Sequence, residues 1–437
     1  MTLVERHKRD AMGIALAVLN RIAGARIVQR LGLNKPIERG VYQATRTGFR
    51  TFGAATRTFQ AATRLGKPAR LEPVGERGLF DLTPDDEQQM IRDTVAEFAT
   101  ERLRPAAADA DTACTPPAEL LATAAELGVT MIGVPESLGG VGTERSTVSG
   151  VLIAEALAHG DMGLAVACLA PSAVSNALVL WGDADQQATY LPSFVGDNVP
   201  AAALAILEPK PLFDPFALAT KATRTPRGYR LDGVKSLVPR AADAELFVVA
   251  AMLDGSPTLF IVESSGVLIE AEPAMGLRAA GMGRLVLDGV TVPRSALLGD
   301  KASYVECVRL SRLGWCALAV GTAQAVLDYV IPYVNERVAF GEPVSHRQGV
   351  AFRVADISIE LEGMRLLTYR AAARAEQGKP YARDVALARK LCADKGMTIG
   401  SDGVQLLGGH GFVKEHPVER WYRDLRAIGL MEGAVLL

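Results

Sequence analysis

Apolar and polar positions along this chain follow two different periods. Between about Ala201 and Gly299 they alternate, and turn residues interrupt them at short intervals. Five stretches carry the alternation: GYRLDGVKSLV, AELFVVAAM, PTLFIVES, GVLIEAE and GRLVLDGVTVP. They predict five short strands in a small antiparallel barrel or sandwich. On both sides of this block apolar residues recur every third or fourth position, the period of a helix with one buried face. The spacing predicts helices from Tyr304 to about Ala375 and from Ala382 to about Leu407. It also predicts a series of helices from near Gly78 to about Leu191. Thr83 reads as the N-cap of the first of these, with Pro84 at the first helical position and Asp85, Asp86 and Glu87 at the positive helix end. GVPESLGG, Gly133–Gly140, reads as a loop. The fold class is therefore α+β and mostly helical. A helical domain spans 79–200, a β-domain 201–299 and a second helical domain 300–437, after a basic amphipathic extension over 1–78.

The extension changes the picture drawn by composition. The chain is 49% hydrophobic and 22% charged, a well-cored globular composition, with a net charge of −2. Residues 1–70 carry a net charge of +11, so the body carries −13. Ile14, Val18 and Ile22 share one helical face with Arg21, Arg26 and Arg30 between, and Asn34–Pro36 ends that helix. Tyr42, Phe49, Phe52 and Phe59 then interleave with Arg46, Arg50, Arg57 and Arg64. Such segments either pack on the body or a second subunit, or make peripheral contact with anionic lipid through residues 1–70. The near-neutral whole gives no pull toward nucleic acid. Cys114, Cys168, Cys307, Cys316 and Cys392 are odd in number and widely spaced, which argues against disulfides and metal and fits a cytoplasmic protein. No run reaches the ~18 apolar residues of a membrane-spanning helix.

Three segments carry candidate chemistry. In QLLGGHGFVKEHPVERWYRD, Gly408, Gly409 and Gly411 follow a helix. They read as a helix C-cap and tight turn, or as a backbone cradle for phosphate. In NERVAFGEPVSHRQGVAF, Arg337 with Phe340-Gly341 reads as a helix end or as an anion contact. Gln348 faces solvent or a nucleotide. Near the end, Glu432 stands among Ile428, Leu430, Met431, Ala434 and Val435. A carboxylate in apolar company is costly unless it is paired, neutralised or used.

Taken together and in order, these pieces resemble the acyl-CoA dehydrogenase family over roughly residues 79–437. VPESLGG is similar to its first inter-helix loop and GLRAAGMGRLVLDGVTVPRSALLG to its β-domain exit. ERVAFGEPVSHRQGVAF resembles its RxxFGxxxxxxQ segment. QLLGGHGFVKEHPVERWYRDLRAIGLMEG resembles its Gly-rich signature and following Glu-Gly. The resemblance implies an N-terminal helical domain, a central small β-barrel or sandwich and a C-terminal four-helix bundle. It implies a homodimer or homotetramer with FAD at the subunit interface. Arg337, Phe340 and Gln348 match positions that hold the adenine–diphosphate half of FAD. Gln405, Gly408, Gly409 and Gly411 match the cradle supplied by the neighbouring subunit. Glu208 and Lys235 match the flavin walls. Glu432 matches the catalytic base, with Leu430 and Met431 to desolvate it. No acid occurs in Arg309–Arg312, where other members carry theirs. The implied reaction is α,β-dehydrogenation of an acyl-CoA to the trans-2-enoyl-CoA, with electrons passed to an electron-transfer flavoprotein.

Departures from the family set the alternatives. TEPxAGSD appears as LEPKPLFDP, so Leu207 replaces a hydroxyl and Leu212-Phe213 replaces Gly-Ser. The Lys-x-Trp-Ile-Thr run appears as KSLVP, read as Ser236 for the aromatic and Val238 for the hydroxyl. After Glu432-Gly433, Ala434 stands where the family has Thr, and only three residues follow. Either the sequence is truncated or the site closes another way. The departures favour, as the alternative, a catalytically impaired acyl-CoA-binding or partner subunit of the same fold. A third reading hands the electrons to oxygen.

Overall fold

The computed structural model describes residues 82–131, 133–140, 145–196 and 199–431. The basic extension over 1–78 and its proposed membrane contact lie outside the described residues.

Helix α1, Asp86–Phe98, starts two residues later than the sequence suggests. Asp85, not Thr83, is the N-cap: its carboxylate accepts the Gln88 N–H at 2.8 Å and the Gln88 side chain accepts the Asp85 N–H at 3.1 Å. A single π turn, Ala99–Leu103, joins α1 to α2, Arg104–Ala113. Pro105, which has no N–H to offer the ladder, sits in the first turn of α2, and the bulge absorbs the interruption. The layer continues with α3 (Ala118–Glu126), α4 (Thr147–Gly160), α5 (Met162–Trp181) and α6 (Ala184–Phe194). Helix α5 is long and apolar enough to cross a bilayer, yet 89% of its most apolar window is buried inside the protein. It is the core helix of the layer.

The β-domain holds eight strands, three more than the alternation predicts. The additional ones are β1 (Ala202–Ala205), β2 (Lys221–Thr225) and β8 (Leu297–Leu298). They are too short, or too uniformly apolar, to show a period of two. The predicted five are β3 (Gly228–Val238), β4 (Leu246–Leu253), β5 (Ser256–Glu263), β6 (Leu268–Ala271) and β7 (Gly283–Pro293). The sheet runs β6-β7-β3-β2-β4-β5-β8, and β1 also pairs with β4. It is antiparallel except for β1 and β2 against β4. Strand β4 lies between two cores. Leu246, Val248 and Ala250 join the helical core, whereas Phe247, Val249 and Ala251 join the core inside the β-domain. Burial on both faces explains its unbroken apolar run.

The C-terminal layer is built from α7 (Lys301–Glu336), α8 (Gln348–Glu376), α9 (Ala382–Leu406) and the eight-residue α10 (Val418–Leu425). The single helical tract expected over 304–375 is broken between α7 and α8. There β9 (Val338–Ala339) and β10 (Glu342–Pro343) form a minimal hairpin. Trp315, Trp421 and Tyr304 are fully buried where these helices meet the N-terminal layer.

Candidate active site

Two of the three candidate segments meet on one chain. Helix α7 ends at Arg337, its C-cap, and the chain turns back through the β9–β10 hairpin. Both turn residues have positive φ, +57° at Phe340 and +86° at Gly341, the geometry of a tight hairpin turn. Glycine accepts this freely, but a phenylalanine does so at a cost and only where the surroundings impose it. Phe340 is 96% exposed, and Arg347 lies over its ring at 5.9 Å.

Opposite Arg337, helix α9 ends and the Gly-rich segment begins. Gly408 takes φ +59°, stopping the helix. A Cβ at Gly409 would meet nothing within 4 Å, so its backbone is open to an approaching group. Gly411 is glycine for a different reason: a Cβ there would lie 2.1 Å from the Val404 carbonyl oxygen. These elements enclose a cleft of about 490 Å³ lined by Tyr333, Arg337, Arg353, Gln405, Gly408, Gly409 and His410, among others. Arg353 is paired with Asp402. Arg337 makes no side-chain hydrogen bond or ion pair among the described residues. Of the sequence candidates, Arg337, Gln405, Gly408 and Gly409 line this cleft. Phe340 and Gln348 are exposed and lie outside its lining, and Gly411 supports it from behind.

Glu208 and Lys235 sit in the β-domain as a buried pair. Lys235 Nζ donates to Glu208 Oε1 at 2.8 Å and to the Ile206 carbonyl at 3.1 Å. Glu208 also accepts the N–H groups of Ala219 and Thr220. Burial pushes the Lys235 ammonium down to about 8, against the pull of Glu208. Burial pushes Glu208 up, and the Lys235 charge with the two amides more than reverses it. Their charges face each other, so the pair pins the 207–220 loop onto β3. Nearby, Ser236 Oγ donates to Glu272 at 2.7 Å and the Leu237 N–H donates to the same carboxylate at 2.6 Å. The Ser236 N–H is taken by the Leu207 carbonyl.

Helix α10 ties the three domains together ahead of the terminal segment. Arg423 donates to both Asp111 oxygens at 2.9 and 3.0 Å, across to α2. Arg420 donates to Asp161, the buried N-cap of α5, at 2.9 Å. Asp424 accepts the Leu277 N–H of the β-domain at 2.6 Å. Seven residues beyond α10's start at Val418 the helix ends, and the chain continues to Met431, whose side chain is buried and whose carbonyl accepts from Arg389 at 3.2 Å. Of the two residues expected to shield Glu432, Met431 is buried and Leu430 is 59% exposed. Glu432 itself lies outside the described residues.

A second cleft, about 850 Å³, opens between the end of α5 and the start of α7, lined by Trp181, Asp300, Lys301, Ser303, Glu306 and Arg309, among others. Glu306 pairs with Arg309 and accepts from the Tyr381 hydroxyl. It stands three residues before the stretch in which the sequence shows no acid.

Family models for the N-terminal, middle and C-terminal domains of acyl-CoA dehydrogenase match residues 85–197, 203–290 and 303–435. The chain belongs to the acyl-CoA dehydrogenase family. It is an oxidoreductase, and FAD is its cofactor. The mitochondrial short/branched chain specific acyl-CoA dehydrogenase of Rattus norvegicus is 32% identical over 361 residues, 80% of this chain and 83% of that protein. Butyryl-CoA dehydrogenase from Megasphaera elsdenii has a similar structure, with TM-score 0.75 at 30% identity over 81% of this chain and 96% of that one. A chain in the structure of the electron transferring flavoprotein of Acidaminococcus fermentans has TM-score 0.75 at 29% identity, covering 81% and 96%.

Among acyl-CoA dehydrogenases the residues of this cleft fit the adenine–diphosphate half of FAD. Arg337, unpaired among the described residues, lines the cleft together with Gly408 and Gly409, so a permanent charge and two positions without side chains border the same space. The β-domain wall fits the ring less fully. Counted from Lys235, the Lys-x-Trp-Ile-Thr run places its aromatic at Leu237 and its hydroxyl at Pro239, which corrects the assignment to Ser236 and Val238. Pro239 has no N–H, and Glu272 already occupies the donors of Ser236 and Leu237. Arg337→Ala is therefore expected to weaken FAD retention about tenfold or more, the loss of one charge-assisted contact. FAD fluorescence released on dilution measures it, and unchanged retention would place the diphosphate elsewhere.

Sequence inspection missed Tyr333, Arg353 and His410. Tyr333 was within reach, because it stands one helical turn before Arg337 on the same face. Arg353 and His410 become neighbours only when α8 and α9 pack.

Proposed function

We propose that this chain dehydrogenates a short or branched acyl-CoA at its α,β bond to the trans-2-enoyl-CoA and delivers the electrons to an electron-transfer flavoprotein. The observation that carries the reading is the cleft lined together by Gly408, Gly409 and Arg337, which is unpaired among the described residues. The acyl class is supported by the relatives, whose names specify short/branched chains and butyryl-CoA. The carrier is supported by the likeness to a chain in an electron transferring flavoprotein structure.

Arg337, Gly408 and Gly409 would hold FAD, whose chemistry would supply the acceptor for the β-hydrogen as hydride. The protein's part begins with Glu432, which accepts the α-proton. In sequence it follows directly on Met431, whose side chain is buried in the helical core. A carboxylate that a bound acyl-CoA shields from water is a stronger base than in water, since desolvation disfavours its charged form. Arg389 and the α10 contacts hold the preceding backbone, so the proton acceptor starts from a fixed anchor. Exposed Phe340, Phe352 and Phe412 flank the cofactor cleft segments, and they favour a second copy of the chain covering that face in a homodimer or larger homo-oligomer.

Anaerobic addition of butyryl-CoA, a branched short acyl-CoA and a long-chain acyl-CoA to the yellow protein tests the reading. Bleaching of the visible flavin band by the first two, and weaker bleaching by the third, is the expected result. Protein that stays colourless after incubation with FAD would make it an acyl-CoA-binding subunit. Peroxide release during turnover would make oxygen the acceptor.

A further inference from the structure

Near the end of strand β3 its ladder with β7 is interrupted, and a carboxylate holds the interruption. Lys235 pairs with Leu285 and Val238 with Gly283, so Ser236 and Leu237 lie opposite Arg284 alone. This is a β-bulge, with one extra residue on β3. Its donors leave the ladder. The Ser236 N–H goes to the Leu207 carbonyl at 2.9 Å. The Leu237 N–H and the Ser236 hydroxyl both go to the Glu272 carboxylate, at 2.6 and 2.7 Å. Arg284, across the bulge, donates to the same carboxylate at 3.0 Å. Glu272 directly follows β6, and its own N–H donates to the Met282 carbonyl at 3.3 Å.

The clamp holds a conformation that a leucine resists. Leu237 has φ +50°. That region is disfavoured for any residue with a Cβ, and bulges that use it ordinarily place glycine there. Hydrogen bonds to an ionised carboxylate offset the strain. Burial pushes the Glu272 carboxyl up, and the Leu237 N–H, the Ser236 hydroxyl and Arg284 more than reverse it. The bulge also changes where side chains turn. In an unbroken strand Leu237 would share a face with Lys235, and Val238 would take the opposite one. With the bulge, Val238 joins the core inside the β-domain. Leu237 packs on the helical core instead, to which Leu207 also belongs.

We propose that Glu272 is a positioning residue for the cofactor: by holding the bulge it turns Leu237 toward the helical layer, as the apolar wall against which the flavin ring lies. The proposal rests on FAD as the cofactor and on Leu237 standing at the aromatic position of the Lys-x-Trp-Ile-Thr run. A sheet gains nothing from the bulge, since it gives up ladder bonds and keeps a leucine strained. Strain held in place by its surroundings is the mark of backbone set for a ligand. Glu272 takes the donors of Ser236 and Leu237, and Pro239 has no N–H. The wall therefore offers the ring shape and dryness and no hydrogen bond.

The visible absorption band of the holoenzyme reads the wall, because its vibrational shoulder is resolved when the ring is dry and smooths when water reaches it. Glu272→Ala should smooth the shoulder and weaken FAD retention about tenfold. Leu237→Gly leaves the clamp in place and accepts the left-handed backbone freely. It should smooth the shoulder while lowering the melting temperature less than Glu272→Ala does. Glu272→Gln keeps one acceptor without the charge and should fall between Glu272→Ala and the unmodified protein. Should Glu272→Ala not fold, Glu272→Gln and Leu237→Gly carry the test. Glu270→Ala, an exposed position on β6, should change neither the shoulder nor retention. A clamp that served the sheet alone would lower the melting temperature in Glu272→Ala and leave the shoulder as it was, which overturns the proposal. An unchanged shoulder in Leu237→Gly overturns it too. Arg337→Ala separates this role from the cofactor placement. If that change releases FAD while the Glu272 and Leu237 changes leave the shoulder unaltered, the placement stands and the clamp's role falls. Protein that takes up no FAD sinks both.

Discussion

Glu432→Gln is expected to lower the rate of dehydrogenation by about two to four orders of magnitude while leaving FAD content and acyl-CoA binding unchanged. The amide has the shape of the carboxylate and no capacity to take a proton from carbon. The α-proton of a thioester is weakly acidic, so the step depends on a base already in contact with it. The magnitude is large because Glu432 is the one acid at the end of a segment anchored on α10, Met431 and Arg389. Flavin bleaching by butyryl-CoA in single-turnover mode reads the step directly. Glu306→Gln is the informative comparison, since Glu306 lines the cleft between α5 and α7 and is held by Arg309 and Tyr381. A normal rate in Glu432→Gln together with a lost rate in Glu306→Gln would move the base to α7.

Arg420→Ala should cost about 3–5 kcal/mol of stability, the usual result of leaving a buried acid without its counter-charge. Asp161 is fully buried, and its two oxygens are used separately. One caps α5 through the Leu164 N–H at 3.0 Å, and the other accepts from Arg420 at 2.9 Å. Asp424 is buried in the same network. Burial first, and then the charge of Asp161, raises its carboxyl above the ordinary range. Burial likewise raises Asp161, against Arg420. A carboxyl raised in the native state holds its proton after the unfolded chain has lost it. Its contribution to stability therefore falls as pH rises from the ordinary carboxylate range toward the raised value. Without Arg420 both acids rise further, so the deficit of Arg420→Ala should be smaller at pH 5 than at pH 8. Urea unfolding at the two pH values measures this. The double change Asp161→Asn with Arg420→Met, which keeps the helix cap and removes the charges, should recover at least half of the loss. No recovery would mean that Arg420 acts through packing.

Much of this protein is local, and what is local was legible in the chain. Strand β7 announced itself because one face meets a core and the other does not, and β4 and β5 did so as short apolar runs bounded by turns. The helical blocks did so through the 3.6-residue period. Arg337, Gln405, Gly408 and Gly409 could be singled out because a helix end and a run of glycines are short-range features that meet an anion by backbone and charge alone. Other parts were decided only by packing. Asp161 and Arg420 lie 259 positions apart, and no periodicity relates an N-cap in one domain to a side chain on α10 in another. Glu208 and Lys235 carried the expected residue types, but whether their charges face a cofactor or each other depends on the loop that closes over β3. Glu272 reached the bulge of β3 only when β6 paired with β7. Hydrophobic period is a property of a sequence window, and it determines which face of an element is buried. The partner of a buried charge is a property of three-dimensional distance, and only the assembled layers determine it.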